Sequence, residues 1–198
     1  MIIDPAHSSP REVYQLLSSC VIPRPIAWVT TRSTAGVINA APFSFFNIVS
    51  ADPPIVMIAV SRHARGRKDT AHNIHETKEF GVSVVTESLA KAMNATSASF
   101  PSSVSEIEQA GLVLQPGRNI STPLIAMSPV KLECVVSQWI EIGNGPTDVI
   151  FGKVVLMDIS GDVLENGTVG AVKLKAIGRL GGNQYCTTGD IFELERLR

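Results

Sequence analysis

The apolar runs of this chain are short, and most carry the signature of strands rather than helices. "PPIVMIAVS" (53–61) is nearly continuous and follows a double proline, a pattern that predicts a central strand buried on both faces. "IAWVTT" (26–31) and "FGVSVV" (80–85) predict two more strands. The two longest β runs are "PVKLECVVSQWIEIG" and "TDVIFGKVVLMDIS". In the first, Leu132, Cys134 and Val136 face one way and Lys131, Glu133 and Val135 the other. "NGP" (144–146) between them is a turn signal, so they predict a long antiparallel hairpin. "VINAAPFSFFNIVS" (37–50) is extended too, with Asn39 and Pro42 as the expected bend or bulge.

Helical signals are brief. Ser9, Pro10 and Glu12 form a capping-box pattern at the head of "SSPREVYQLLSSC". Asp69 is the expected N-cap of a polar helix that carries Ala71, Ile74 and Thr77 on one side. "SLAKAMNATSASF" and "SEIEQAG" predict two further short helices. The tail from Ala171 holds a Gly-Gly turn. Strands in hairpin-like order with few helices imply an antiparallel barrel or sandwich with helices outside it. No repeat and no break in composition divides the chain, so a single domain over 1–198 is expected. The sequence holds no G-x-G-x-x-G, and strands do not alternate with helices, so a Rossmann sheet is disfavoured.

Composition narrows the function. Of 198 residues, 44% are hydrophobic and 18% charged, which excludes disorder and suggests either a thick core or a second buried surface such as a dimer interface. A net charge of −1 argues against a dedicated nucleic-acid binder. The start lacks a basic region followed by an apolar run, and no apolar stretch reaches about 18 residues, so neither a signal peptide nor a membrane span is expected. Cys20, Cys134 and Cys186 are odd in number and widely spaced, which suits free thiols in a reducing, cytoplasmic compartment.

Two stretches suggest chemistry. In "GRKDT", Arg67, Lys68 and Thr70 meet the expected N-terminus of a helix, an arrangement able to hold a phosphate dianion. A solvated basic turn with an ordinary cap explains it equally. In "NAAPFSFF", three of the chain's seven phenylalanines, Phe43, Phe45 and Phe46, fall within four residues and are interleaved with Ala40, Ala41 and Ser44. Small residues let backbone groups approach a planar ligand while aromatics wall it in; plain strand packing is the alternative. His72 and His75 could share a helix face, but no further ligand accompanies them, so no metal site is expected. No Ser-His-Asp or Cys-His arrangement emerges, and no catalytic side chain is assigned.

"PRPIAWVTT", "NAAPFSFFNIVSADPP", "GRKDTAHNI", "FGVSVV" and "IGRLGGNQY" follow one another in an order that resembles the flavin reductase-like, FMN-binding split β-barrel family over roughly residues 12 to 190. Flavoredoxin-type proteins and reductase components of two-component monooxygenases are similar. The resemblance implies a mainly β fold, a six-stranded antiparallel Greek-key split barrel with flanking helices, assembled as a homodimer with FMN near the interface. It implies NAD(P)H-dependent reduction of flavin, with electrons passed to an acceptor or a partner monooxygenase. A non-catalytic FMN carrier or flavin store, or a barrel-type interaction module without cofactor, remains the alternative. Carried over by position, Asn39, Ala40, Ala41, Pro42, Phe43, Ser44, Phe45 and Phe46 would line the flavin ring. Ser61, Arg67, Lys68 and Thr70 would surround its phosphate. Thr30, Thr31 and Asn73 would support the site, and Arg24, Arg179 and Tyr185 would close it. Arg62 and Arg65 add charge beside His63, suited either to the 2′-phosphate of NADPH or to solvent.

Overall fold

A computed structural model describes residues 1–63, 66–98, 100–101 and 104–195. Helix α1 (Pro10–Cys20) opens on the expected capping box: Ser9 Oγ accepts from the Glu12 N–H at 3.3 Å, and the Glu12 carboxylate accepts from the Ser9 N–H at 2.9 Å. Strands β1 (Ala27–Arg32), β2 (Ile38–Phe43), β3 (Phe46–Ala51) and β4 (Pro54–Ser61) follow, then α2 (Asp69–Thr77) and β5 (Glu79–Val84). Short helices α3 (Ala90–Ala95) and α4 (Glu106–Gln109) precede the two-residue strands β6 (Leu114–Gln115) and β7 (Leu124–Ile125). The long strands β8 (Val130–Ile142) and β9 (Thr147–Ile159) form the expected hairpin. The chain closes with β10 (Leu164–Glu165), β11 (Thr168–Val169), α5 (Ala171–Leu174), β12 (Ile177–Arg179) and β13 (Tyr185–Thr187). The last two pair across the Gly-Gly turn, where Gly182 takes φ +56°.

The main sheet has seven strands in the order β2-β1-β5-β8-β9-β4-β3, with every pairing antiparallel. Six were expected, and the extra one has a simple origin. The run from Ile38 to Ala51 breaks at Ser44 and Phe45, and its halves, β2 and β3, become the two edges of the sheet. One bent segment therefore supplies both edges, and the sheet curls until they meet at the bend. This is how the barrel closes without leaving long free edges. The break lies after Pro42 rather than at Asn39 or Pro42 as expected; Pro42 stays in register opposite Trp28, and an irregularity in β3 falls between Ile48 and Ser50.

Period-two alternation splits the apolar residues between two cores. Val29, Ile58, Val60, Phe80, Val82 and Ile150 fill the barrel, joined by Ala71 and Ile74 of α2. Trp28, Ala40, Val85, Met93 and Ile125 form a second core outside β1 and β2, beneath α3 and α4. Trp28 is fully buried, and its indole N–H donates to Thr96 Oγ1 at 3.0 Å. The expectation of a doubly buried β4 is corrected. Val56, Ile58 and Val60 face the core, whereas Ile55, Met57 and Ala59 are half-exposed, because alternate side chains of β4 point out of the barrel. Leu132, Cys134 and Val136 do share the core face of β8. Opposite them, Glu133 is buried and accepts from the backbone N–H groups of Arg118 and Asn119, at 2.8 and 2.6 Å, pinning the loop that covers it.

Candidate functional site

Helix α2 begins beside β2, and its first residues decide what that neighbourhood can bind. Asp69 is the first helical residue rather than the N-cap; Lys68 holds the cap position in extended backbone and makes no side-chain cap bond. The first N–H groups of the helix therefore lack a side-chain acceptor from the cap, which leaves them available to an anion. The Lys68 ammonium stands 6.0 Å from the centre of the Phe43 ring. Among the described residues no carboxylate pairs with it. Burial holds its pKa below the ordinary lysine value.

Lys68 opens onto a cleft of about 270 Å³. Asn39, Ala41, Pro42 and Phe43 of β2 form one wall; His63, Asp69, Thr70, Phe100 and the stretch Thr96–Ala98 complete it with Glu106. A second, larger cleft of about 700 Å³ adjoins the first and shares Pro42 and Ser97 with it. Its walls include Tyr14, Arg24, Ser44, Arg179 and Tyr185. Together they make one groove that runs along the outside of the Asn39–Ser44 segment.

A buried polar network holds that segment. The Glu106 carboxylate accepts from Asn39 Nδ2 at 2.7 Å and from the Ala40 N–H at 3.2 Å. Asn39 Oδ1, thereby oriented, accepts from Thr70 Oγ1 at 2.9 Å and Thr31 Oγ1 at 3.4 Å, and Thr31 Oγ1 accepts in turn from Asn73 Nδ2 at 3.1 Å. The chain of bonds ties β1, β2, α2 and α4 into one unit, which fixes the Lys68 end of α2 relative to the β2 wall. Burial pushes the Glu106 pKa up and the Asp69 charge adds to this, against the lowering effect of the Ala40 and Asn39 bonds. Glu106 was not anticipated from the sequence; in "SEIEQAG" it is one polar residue of a short helix, and only the fold sets it against β2.

The bend at Ser44 is fastened by Arg24. Its guanidinium donates to Val21 O at 2.7 Å, Leu180 O at 2.9 Å and Ser44 Oγ at 3.3 Å, and also to Ser18 O. It so caps the carbonyl end of α1 and lies 5.9 Å over the exposed Phe45 ring. The three phenylalanines separate at this bend: Phe43 reaches the cleft, Phe45 stands outside at 6.3 Å from Tyr14, and Phe46 packs against the barrel core.

Several expected site residues lie elsewhere. Thr30 is fully buried with an unpartnered hydroxyl against Gly81, and Thr31 and Asn73 act inside the network rather than at the surface of the Lys68 cleft. Ser61 is exposed near Thr147 and lines neither part of the groove. Arg67, expected at the phosphate, is engaged by carboxylates: it donates to Glu141 at 2.6 Å and Asp148 at 3.4 Å and lies 5.3 Å over Trp139. Arg62 binds the same two acids, so it is tied down rather than free for a 2′-phosphate. Burial alone would raise the pKa of Asp148, yet bonds from Arg62 and Trp139 hold it below the ordinary value. Arg65 lies outside the described residues. Arg179 and Tyr185 are together, but in the larger cleft, across Pro42 from Lys68. His72 and His75 are exposed on α2, with the His75 ring edge-on to Trp139 at 5.8 Å.

Known proteins share this chain's sequence and its fold. An uncharacterized protein of Halalkalibacterium halodurans is 42% identical, covering 99% of this chain and 96% of the relative. The crystal structure of nitrilotriacetate monooxygenase component B from Bacillus cereus superposes with a TM-score of 0.95 at 39% identity, covering 98% of each chain. That of Pseudomonas fluorescens 2-nitrobenzoate 2-nitroreductase gives 0.88 at 32% identity over 100% of this chain and 96% of the other. The family model for the flavin reductase like domain matches residues 18–173, which take in the barrel strands, the Asn39–Phe46 segment and the Lys68 turn. The chain belongs to the flavin reductase-like family, and with it to the flavin-linked oxidoreductases.

Proposed function

We propose that this protein is an NAD(P)H-dependent flavin reductase that holds FMN along the Asn39–Phe46 segment, phosphate toward Lys68. The observation that carries the reading is the Lys68 ammonium, without a carboxylate partner among the described residues, at the uncapped start of α2, facing the same cleft as the β2 wall. The residues present fit such a cofactor. A half-buried cation and free helix N–H groups, that of Thr70 among them, suit a phosphate dianion. A wall of small residues and one aromatic suits a flat ring.

When bound, flavin supplies the hydride-accepting and electron-releasing chemistry. The protein's part is to bind, orient and shield. Lys68 and the N–H groups of the α2 N-terminus hold the phosphate, while the Thr70 hydroxyl, which donates to Asn39, steadies that end of the helix. The Glu106 bonds keep the β2 backbone in one position, so that Ala41 and Ser44 can meet the ring through main-chain groups, whereas Ala40, expected there too, is fully buried with its N–H spent on Glu106. Pro42 and Phe43 exclude water from the covered side. No side chain need exchange a proton. Arg67 and Ser61 then contribute at most indirectly, through the Asp148 cluster and the strand end.

The Bacillus cereus and Pseudomonas fluorescens proteins support delivery of electrons to a partner monooxygenase or a small acceptor. Homodimerisation is supported by apolar side chains left exposed: Leu17 and Val21 on or just after α1, and Ile48 and Val49 on β3. Three free cysteines support a cytoplasmic setting; no helix among the described residues is long and apolar enough to cross a membrane.

Anaerobic titration of the FMN-loaded protein tests the reading. Bleaching of the flavin band by NADH or NADPH is the expected result. A band that bleaches only with dithionite makes the protein a carrier or store. No flavin band after addition of excess FMN overturns the assignment.

A further inference from the structure

Among the described residues the larger cleft has no acidic side chain in its walls. It presents two guanidiniums, Arg24 and Arg179, with amide and hydroxyl groups from Asn94, Asn183 and Ser19. The arginines differ in what they have left to give. Arg24 is 7% exposed and is spent on three carbonyls and Ser44. Arg179 is half-buried and donates to Tyr185 Oη and Gly182 O, two neutral acceptors, with its guanidinium 4.6 Å over the Tyr185 ring. Among the described residues no Asp or Glu pairs with it, whereas Arg62 and Arg67 of the same chain both do.

A cation that is partly desolvated, held in one orientation by a ring and a carbonyl, and left without a counter-charge is arranged for an anion from outside. The position adds a direction. The cleft meets the flavin groove at Pro42 and Ser97, and Ile26, Pro42, Met93 and Leu180 give it an apolar strip. We infer that this cleft is a subsite for the anionic group of a second small molecule, a carboxylate or a phosphate, anchored by Arg179, with the rest of the molecule reaching past Pro42. Only the destination beyond Pro42 rests on the flavin reading; the anion site stands apart from it.

Calorimetric titration of the flavin-free protein tests this with benzoate, inorganic pyrophosphate and neutral benzamide as probes. At least one anion is expected to bind about tenfold or more tightly than benzamide, and Arg179→Gln to weaken it by roughly 10- to 150-fold, the range for one charge-assisted hydrogen bond. Arg179→Lys, which keeps the charge, is expected to recover part of the loss and guards against a variant that merely misfolds. Binding of benzoate identifies a carboxylate as the natural group, and binding of pyrophosphate a phosphate. The inference is overturned if neither anion binds, if benzamide binds as tightly, or if the anion's affinity depends on Lys68 and not on Arg179. Because no flavin is present, a failure of FMN binding leaves the outcome readable.

Discussion

Replacing Lys68 with alanine removes a cation that faces the β2 cleft and has no carboxylate partner among the described residues. In the flavin-free protein this ammonium is partly desolvated and uncompensated, and burial depresses its pKa. A phosphate placed there would become its counter-charge. The net worth of a hydrogen bond to a charged group is about 1.5–3 kcal/mol, and each 1.4 kcal/mol is about tenfold in affinity. Partial burial lessens screening by salt, so Lys68→Ala is expected to weaken FMN roughly 10- to 150-fold. Quenching of flavin fluorescence on binding gives the dissociation constants. Riboflavin, which lacks the phosphate, is the internal control: its affinity should change by less than about threefold, since a cation–π contact with Phe43 is all the ring side loses. Unchanged FMN affinity, or equal losses for FMN and riboflavin, would refute the reasoning and move the phosphate away from α2.

Five further outcomes are expected. Lys68 must be protonated to hold phosphate, so FMN affinity should fall as pH rises through its lowered free-protein pKa, while riboflavin affinity shows no such limb. Stability of the flavin-free protein moves the other way there: between that lowered value and the ordinary 10.5 the unfolded chain binds more protons, so this contribution rises with pH, as urea midpoints at several pH values will show. Glu106→Gln sets an amide N–H against Asn39 Nδ2 or the Ala40 N–H, and the stranded donor should cost about 1–3 kcal/mol in urea unfolding, with weaker FMN binding beside it. Arg24→Ala strips donors from three carbonyls and Ser44 and should destabilise by about 3 kcal/mol by the same measure; a loss below about 1 kcal/mol would mean that water replaces it at no penalty. Gly152→Ala puts a methyl into the Phe80 ring and 3.1 Å from Cys134 Cβ, so a lower melting temperature, about 1–3 kcal/mol of overpacking, is expected.

The strands and their partners were largely legible in the chain, because period-two patterns and turn residues act locally. The β8–β9 hairpin, the Ser9 capping box and the Gly-Gly turn all stand where the sequence indicates. The site was half legible. Lys68, Thr70, Asn39 and Phe43 do converge on one cleft. Arg67 looked equivalent to Lys68 in "GRKDT", yet the two side chains leave the turn in different directions. Arg67 meets Glu141 and Asp148, more than seventy residues away along the chain.

Local composition thus determined a β-rich chain, the positions of its turns, and a basic helix start near an aromatic, small-residue strand. Tertiary structure decided the rest, because each remaining question depended on a partner distant in sequence. Closure of the barrel required β2 and β3 to reach opposite edges of one sheet. That Arg62 and Arg67 are tied down while Lys68 faces the cleft was settled by where the acids of β8 and β9 fall. The buried Glu106 carboxylate that holds Asn39 arrives from α4, and no pattern within four residues of either could have announced the bond.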